Sequence, residues 1–181
     1  MTGRREDGTS EGALGLTPFQ TVGPYFAVLP LEGENRASTT SSITIEGVVR
    51  DGAGAVVPDA LIETWQADAT GRYQSGDVSF RGLARAMTDE SGRYEIRTVM
   101  PGRIGRSHAP HILVGILARG VLTRLVTRIY FPDHTTNATD PILSQVPESR
   151  RATLIAATVG ADRYRFDIIL QGPGETAFFD A

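Results

Sequence analysis

The chain has 181 residues, and its 18 basic and 21 acidic side chains leave a net charge of −3, which gives no reason to expect a nucleic-acid partner. Every basic residue is Arg, so Schiff-base chemistry and a P-loop lysine are excluded, and the absence of Cys excludes disulfides, thiolate metal sites and a cysteine nucleophile. With 40% hydrophobic and 22% charged residues, the length fits one globular domain with a sizeable core.

No apolar run approaches the ~18 residues of a membrane span, and MTGRREDGTSEGALG has no apolar stretch to make it a signal peptide. A reducing cytoplasm is the expected setting. Residues 1–15 are polar and Gly-rich and are expected to be disordered. Residues 16–42 begin with LTPFQTVGPYF, where Pro18 and Pro24 forbid a regular helix and the aromatics Phe19, Tyr25 and Phe26 need a surface, so an ordered extended arm is expected. EGENRASTTSS then reads as a flexible loop.

From residue 43 to 181 the pattern is that of a β-sandwich domain. ITIEGVVR places Ile43, Ile45 and Val49 on one face by period-2 alternation. DGAGA is a turn, and ALIETWQA is a second strand. Residues 72–84 are Gly-spaced and ambiguous. TDESG predicts a hairpin turn into GRYEIRTV, with Tyr94, Ile96 and Thr98 alternating against Arg93, Glu95 and Arg97. HILVGILA is continuously apolar and predicts a strand buried on both faces; TRLVTRIYF predicts another. PESRRATLIAATV, with Pro147 at its start and Glu148 in its first turn, predicts a short helix, and RYRFDIIL is the last strand, with Tyr164, Phe166, Ile168 and Leu170 on one side. Short strands with turns between them and one late helix argue for an all-β sandwich of mainly antiparallel strands with long loops.

Neither a G-x-S-x-G nucleophile elbow nor an H-E-x-x-H zinc motif is present. The carboxylate pair Asp89–Glu90 lies in a turn and reads as solvated surface. His108 and His111 flank Pro110 at the start of the most apolar strand, but their i, i+3 spacing does not put two ligands on one strand face. His111 reads as a buried, hydrogen-bonded imidazole, His134 as an exposed loop residue and Tyr73 as a core or interface tyrosine. Arg119, directly after the apolar strand, is placed either in solvent or as a clamp for a carboxylate.

TVGPY, GVVRDGAGAVVPDALIETWQADATGRYQ, TDESGRYEIRTVMPG, APHILVGILARG, LVTRIYF and YRFDIILQGPGET follow one another in an order that resembles the intradiol ring-cleavage dioxygenases, over roughly residues 16–181. Enzymes of that family hold Fe(III) with two Tyr and two His. The resemblance places these four positions at Tyr73, Ile104, His111 and Leu113, so two of four donors survive, and a Gln after the site falls at Arg128. Fe(III) is a hard cation, and two donors do not make a tight site. The resemblance is therefore to the iron-free alpha type of chain found in the two-chain members that cleave protocatechuate in aromatic catabolism by the beta-ketoadipate route. It implies a beta subunit that carries the iron, a higher alpha–beta oligomer, and activity only in that assembly. It also implies that Thr21, Gly23, Pro24, Tyr25 and Arg119 help to close the partner's substrate pocket. A non-catalytic, transthyretin-like binding module is the alternative reading of the sandwich motifs.

Overall fold

The computed structural model describes residues 34–40, 42–73, 76 and 78–180. Two sheets face each other. One has the order β4–β1–β8–β7, built from β1 (Ile43–Arg50), β4 (Arg93–Thr98), β7 (Ala157–Gly160) and β8 (Arg163–Arg165), with the short β9 (Ile168–Ile169) also paired to β1. The other has the order β3–β2–β5–β6, built from β2 (Leu61–Gln66), β3 (Leu83–Met87), β5 (His111–Leu117) and β6 (Leu125–Tyr130). All pairs are antiparallel except those of β1 with β8 and β9, which are parallel.

Alternation builds the core. Ile43, Ile45 and Val49 of β1 and Tyr94 and Ile96 of β4 meet Ile62 of β2 and Ile112, Val114 and Ile116 of β5 between the sheets. Burying each such aliphatic side chain is worth about 1.5–3 kcal/mol, and their β-branched shape suits a pleated surface.

Several expectations change. The turn Thr88–Gly92 closes on itself, with the amide of Asp89 donating to Arg93 O, but β3 and β4 lie in different sheets, so it crosses between sheets instead of forming a hairpin. The segment LARAM, which starts at the end of the ambiguous stretch and runs three residues past it, is strand β3; its alternation of small residues, Ala84 and Ala86 inward, carries a weak apolar signal. The last strand is split. Gly47 lets Phe166 approach β1 (a Cβ there would meet Phe166 O), the Tyr94 hydroxyl donates to Phe166 O at 2.6 Å, and the Asp167 carboxylate accepts the Val48 amide at 3.0 Å. Side chains thus take over part of the pairing between β8 and β9, where the Phe166 amide still donates to Glu46 O, while Tyr164, Phe166 and Ile168 still face inward. The helix α1 (Glu148–Arg151) is a single turn followed by a 3-10 turn at Ala152–Leu154, and the rest of the expected helix becomes β7.

Residues 34–40 depart from the expected flexible loop. Asn35 O and Arg97 O, the latter on β4, exchange amide bonds with Arg97 and Ala37, while Glu34 O accepts the Arg85 amide of β3 and Ala37 O accepts the Arg81 amide. Ala37 is fully buried. The segment is a clasp laid over the neighbouring edges of both sheets. Its backbone donors and acceptors pair with two edges that would otherwise be open.

Candidate functional site

Residues 61, 63 and 65 of β2 and 111, 113, 115 and 117 of β5 point away from the core, onto the outer face of the β3–β2–β5–β6 sheet. This corrects the reading of β5 as buried on both faces, because Leu113 and Leu117 are only half-buried. One cross-strand row on this face is Leu83, Trp65, Leu113 and Arg128. The next row pairs His111 with Tyr130.

Tyr73 joins the first row by stacking on Trp65, with ring centroids 5.8 Å apart and planes 10° from parallel. It is 39% exposed, so it lies on the sheet surface and is not a core residue. Its loop is fixed by Asp68, whose carboxylate accepts the amides of Thr70 and Arg72. The loop also packs on the Pro101–Gly102 turn: a Cβ on Gly102 would fall 2.4 Å from Gly71 N, and one on Gly71 would meet Arg103 O. Glycine at these two positions is what brings the segment of Tyr73 against the segment of half-buried Ile104.

His111 is buried, and its Nδ1 lies 2.8 Å from Ala109 O. A carbonyl accepts only, so Nδ1 carries the proton and Nε2 is the lone-pair nitrogen. Burial pushes its pKa down, the Ala109 bond and Asp140 oppose this, and Arg128 and His108 add to the depression, so the ring is neutral. Its ring is 5.7 Å from that of Tyr130 and 6.1 Å from that of His108. His134, expected to be exposed, is half-buried with its ring edge-on to Phe131.

A buried carboxylate organises the strand entrance. Asp140, with no exposed surface, accepts the amides of Ala109, Ile142 and Leu143 at 2.9 Å and the Tyr130 hydroxyl at 3.0 Å. Burial pushes its pKa up, but these four bonds outweigh that and hold it below the ordinary value. The Tyr130 phenol is pushed up to about 12 by burial, and that of Tyr73 is raised by burial against the opposing charge of Arg128. Both are phenols at neutral pH.

Leu113 and Arg128 also form one wall of a cleft of about 570 Å³ between β5–β6 and the chain at Ile142–Pro147 and Ala177–Asp180. Val126, Phe178 and Phe179 make most of the remaining surface apolar. Arg128 stands out in the sequence only as the position of a Gln that the resemblance implies, and Asp140 and this C-terminal aromatic pair escaped a reading organised around His and Tyr; the doublet Phe178–Phe179 is the one local signal that could have drawn attention to them.

The four positions implied for iron do not fit the ion. Tyr73 and His111 offer a phenol and an imidazole, Ile104 and Leu113 offer hydrocarbon, and the Arg128 guanidinium is close enough to bias both surviving donors. A resident cation beside the donors opposes a trivalent one. Among the described residues no group of three or more His, Cys, Asp or Glu could hold a metal ion.

Arg119 is elsewhere. It follows β5 at the end opposite His111, roughly 26 Å away at ~3.3 Å per residue, so this chain alone does not bring it to Tyr73. Its side chain is 61% exposed and pairs with Asp59. Thr21, Gly23, Pro24 and Tyr25 lie outside the described residues. No helix among the described residues is long and apolar enough to cross a membrane.

The sequence profile of the family described as Dioxygenase matches residues 29–172. The protocatechuate 3,4-dioxygenase alpha chain of Burkholderia cepacia is 44% identical, over 91% of this chain and 96% of its own length. The beta chain from the same organism is 36% identical, over 74% of this chain and 66% of its own. Among solved structures, the dioxygenase domain of a dioxygenase carbohydrate-binding protein fusion from Streptomyces sp. SirexAA-E superposes with a TM-score of 0.62 at 26% identity, covering 80% of this chain and 97% of that one. The chain belongs to the intradiol dioxygenase family, whose members are iron-dependent oxidoreductases. That membership decides against the non-catalytic, transthyretin-like alternative.

Proposed function

We propose that this chain is the iron-free alpha subunit of a protocatechuate 3,4-dioxygenase, and that a beta subunit carrying Fe(III) completes the enzyme in a higher alpha–beta oligomer. The observation that carries this reading is the donor set: Ile104 and Leu113 stand where two ligands are needed, and Arg128 is the cross-strand partner of Leu113. Greater identity to an alpha chain than to a beta chain of the same organism supports it. The reaction of the assembly is insertion of both atoms of O2 into protocatechuate, with cleavage of the bond between the two hydroxyl-bearing carbons to give 3-carboxy-cis,cis-muconate. When bound on the partner, the ferric ion supplies the electrophilic chemistry.

The part of this chain is positioning. Thr21, Gly23, Pro24 and Tyr25 would line the partner's pocket, where Gly23–Pro24 allows close backbone approach to a flat ring. Arg119 would bind the substrate carboxylate. Its guanidinium has five N–H donors, so pairing with Asp59 leaves donors for a second anion. The setting proposed is the cytoplasm.

Co-expression tests the reading. Oxygen uptake and loss of protocatechuate should be seen with the alpha and beta chains together and with neither alone. Ring cleavage by this chain without a partner would sink it.

A further inference from the structure

Three arginines on or beside the outer face are paired with carboxylates, and Arg128 is not. Arg85 and Arg124 both bind Glu63, at 2.8 and 3.2 Å, with Arg124 lying flat over Gly115. Arg150, in the wall of the cleft, donates to Glu175 Oε1 at 3.0 Å and also faces the carbonyls of Glu175 and Thr176. Arg128 is half-buried, and among the described residues it has no carboxylate within ion-pair distance; its one hydrogen bond is a long one, 3.5 Å, to the Tyr130 hydroxyl. Asp180 lines the same cleft without pairing to it.

An uncompensated, partly desolvated guanidinium is costly, and it favours a planar carboxylate that accepts two parallel hydrogen bonds. The surface beside it is apolar: Leu113, Val126, Phe178 and Phe179 offer edges and faces to a flat ring. A cation beside apolar and aromatic side chains in one cleft matches a small aromatic carboxylate, charge to charge and ring to hydrocarbon. Bare inorganic anions would use only the first half of that match.

We propose that the cleft beside Arg128 is a binding site for a small aromatic monocarboxylate, held without metal and without chemical change. It goes beyond the pocket completion proposed above and is distinct in place from Arg119. The ligand's carboxylate lies on Arg128 and its ring against Phe178 and Phe179.

Benzoate is the probe, because it has no phenolic hydroxyl with which to chelate iron. Benzamide supplies the same shape without charge, and inorganic phosphate supplies charge without a ring. Calorimetric titration of the full chain, alone and in complex with a beta chain, should give saturable benzoate binding. Benzamide and phosphate should each bind at least about tenfold more weakly. Trp65, the single tryptophan of the chain and two strands from Arg128 in the same row, should report benzoate by a fluorescence change in the chain alone. Arg128→Gln should weaken benzoate by roughly ten- to a hundredfold and leave benzamide unchanged, and Phe179→Ala should weaken benzoate but not phosphate. No saturable benzoate binding, equal binding of benzamide, equal binding of phosphate, or a folded Arg128→Gln variant that binds benzoate as before would each overturn the proposal. The comparison of the three ligands needs no variant, so a failure of Arg128→Gln to fold does not spare it. Ring-cleavage activity of the same complex is a separate readout: its loss with benzoate binding intact speaks against the subunit assignment alone.

Discussion

The two faces of the β3–β2–β5–β6 sheet are drawn from alternate residues of the same strands, yet they answer to different demands. The inner face carries Ile62, Ile112, Val114 and Ile116 and is specified by burial and shape. The outer face carries Trp65, Leu113, Arg128 and His111, a mixture that no folding requirement calls for. Adjacent residues of one strand, Ile112 and Leu113, therefore belong to separate problems. A family can keep the first set to preserve a scaffold while exchanging the second; in the alpha-subunit reading proposed above, Ile104 and Leu113 stand in place of metal donors, with Arg128 close to the two that would remain.

The sharpest way to break this contrast is to rebuild the outer face. Wild-type chain purified alone should hold well below one iron per chain, without tyrosinate-to-iron colour. The variant Ile104→Tyr/Leu113→His restores donors but keeps the cation, and should take up several-fold less iron than the same variant with Arg128→Gln added. Iron analysis and visible absorption decide it, and equal uptake by the two variants would show that the guanidinium is no obstacle.

Next in size is the inner face itself. Ile112→Ala should cost about 2–5 kcal/mol in denaturant unfolding, because it opens a cavity in a dry core. Leu113→Ala, one residue on and half-buried, should cost under about 1.5 kcal/mol on the same principle. Equal costs would mean that both faces are buried in the folded chain.

Arg119 tests whether function extends beyond both faces. A charge-assisted hydrogen bond is worth about 1.5–3 kcal/mol, so Arg119→Ala in an intact complex should lower kcat/KM for protocatechuate roughly ten- to a hundredfold. Catechol, which has no carboxylate, should suffer much less. Equal losses with both substrates would leave Arg119 as the partner of Asp59 and nothing more.

The smallest effect separates two titrations on the outer side. His111 has a depressed pKa when folded, so the unfolded chain takes up its proton first as pH falls below the ordinary value of about 6.5. Stability contributed by the neutral ring is present above that value and is lost as pH falls toward the lower folded pKa. Asp140, also depressed, is lost later, below about pH 4. A pH series of unfolding free energies should show the first decline flattened in His111→Gln and the second unchanged. An unaltered first decline would remove His111 as its source.

Much of the inner face was legible because alternation and β-branching act locally: β1, β4, β5 and β6 fall where the pattern puts them. β3 escaped because Ala84 and Ala86 bury little surface each, and the split of the last strand escaped because it depends on the Tyr94 hydroxyl and the Asp167 carboxylate, partners distant in sequence. Tyr73 and His111 stood out by residue type, and the spacing rule for His108 and His111 agrees with rings 6.1 Å apart that turn to different partners. Nothing local reveals that Arg128 lacks a counter-charge. That property is defined by which acids the fold brings to Arg85, Arg124 and Arg150.

The clasp at residues 34–40 also sets a radius. Its amide bonds to both sheet edges fix the point from which all preceding residues depart, whatever path those residues take. Covalent geometry allows at most ~3.6 Å per residue, so Tyr25, nine residues before Glu34, cannot lie farther than roughly 32 Å from that anchor, and Thr21 not farther than roughly 47 Å. Any neighbouring subunit whose pocket these residues enter must present its opening inside those two spheres, which makes the anchor a ruler for the geometry of assembly.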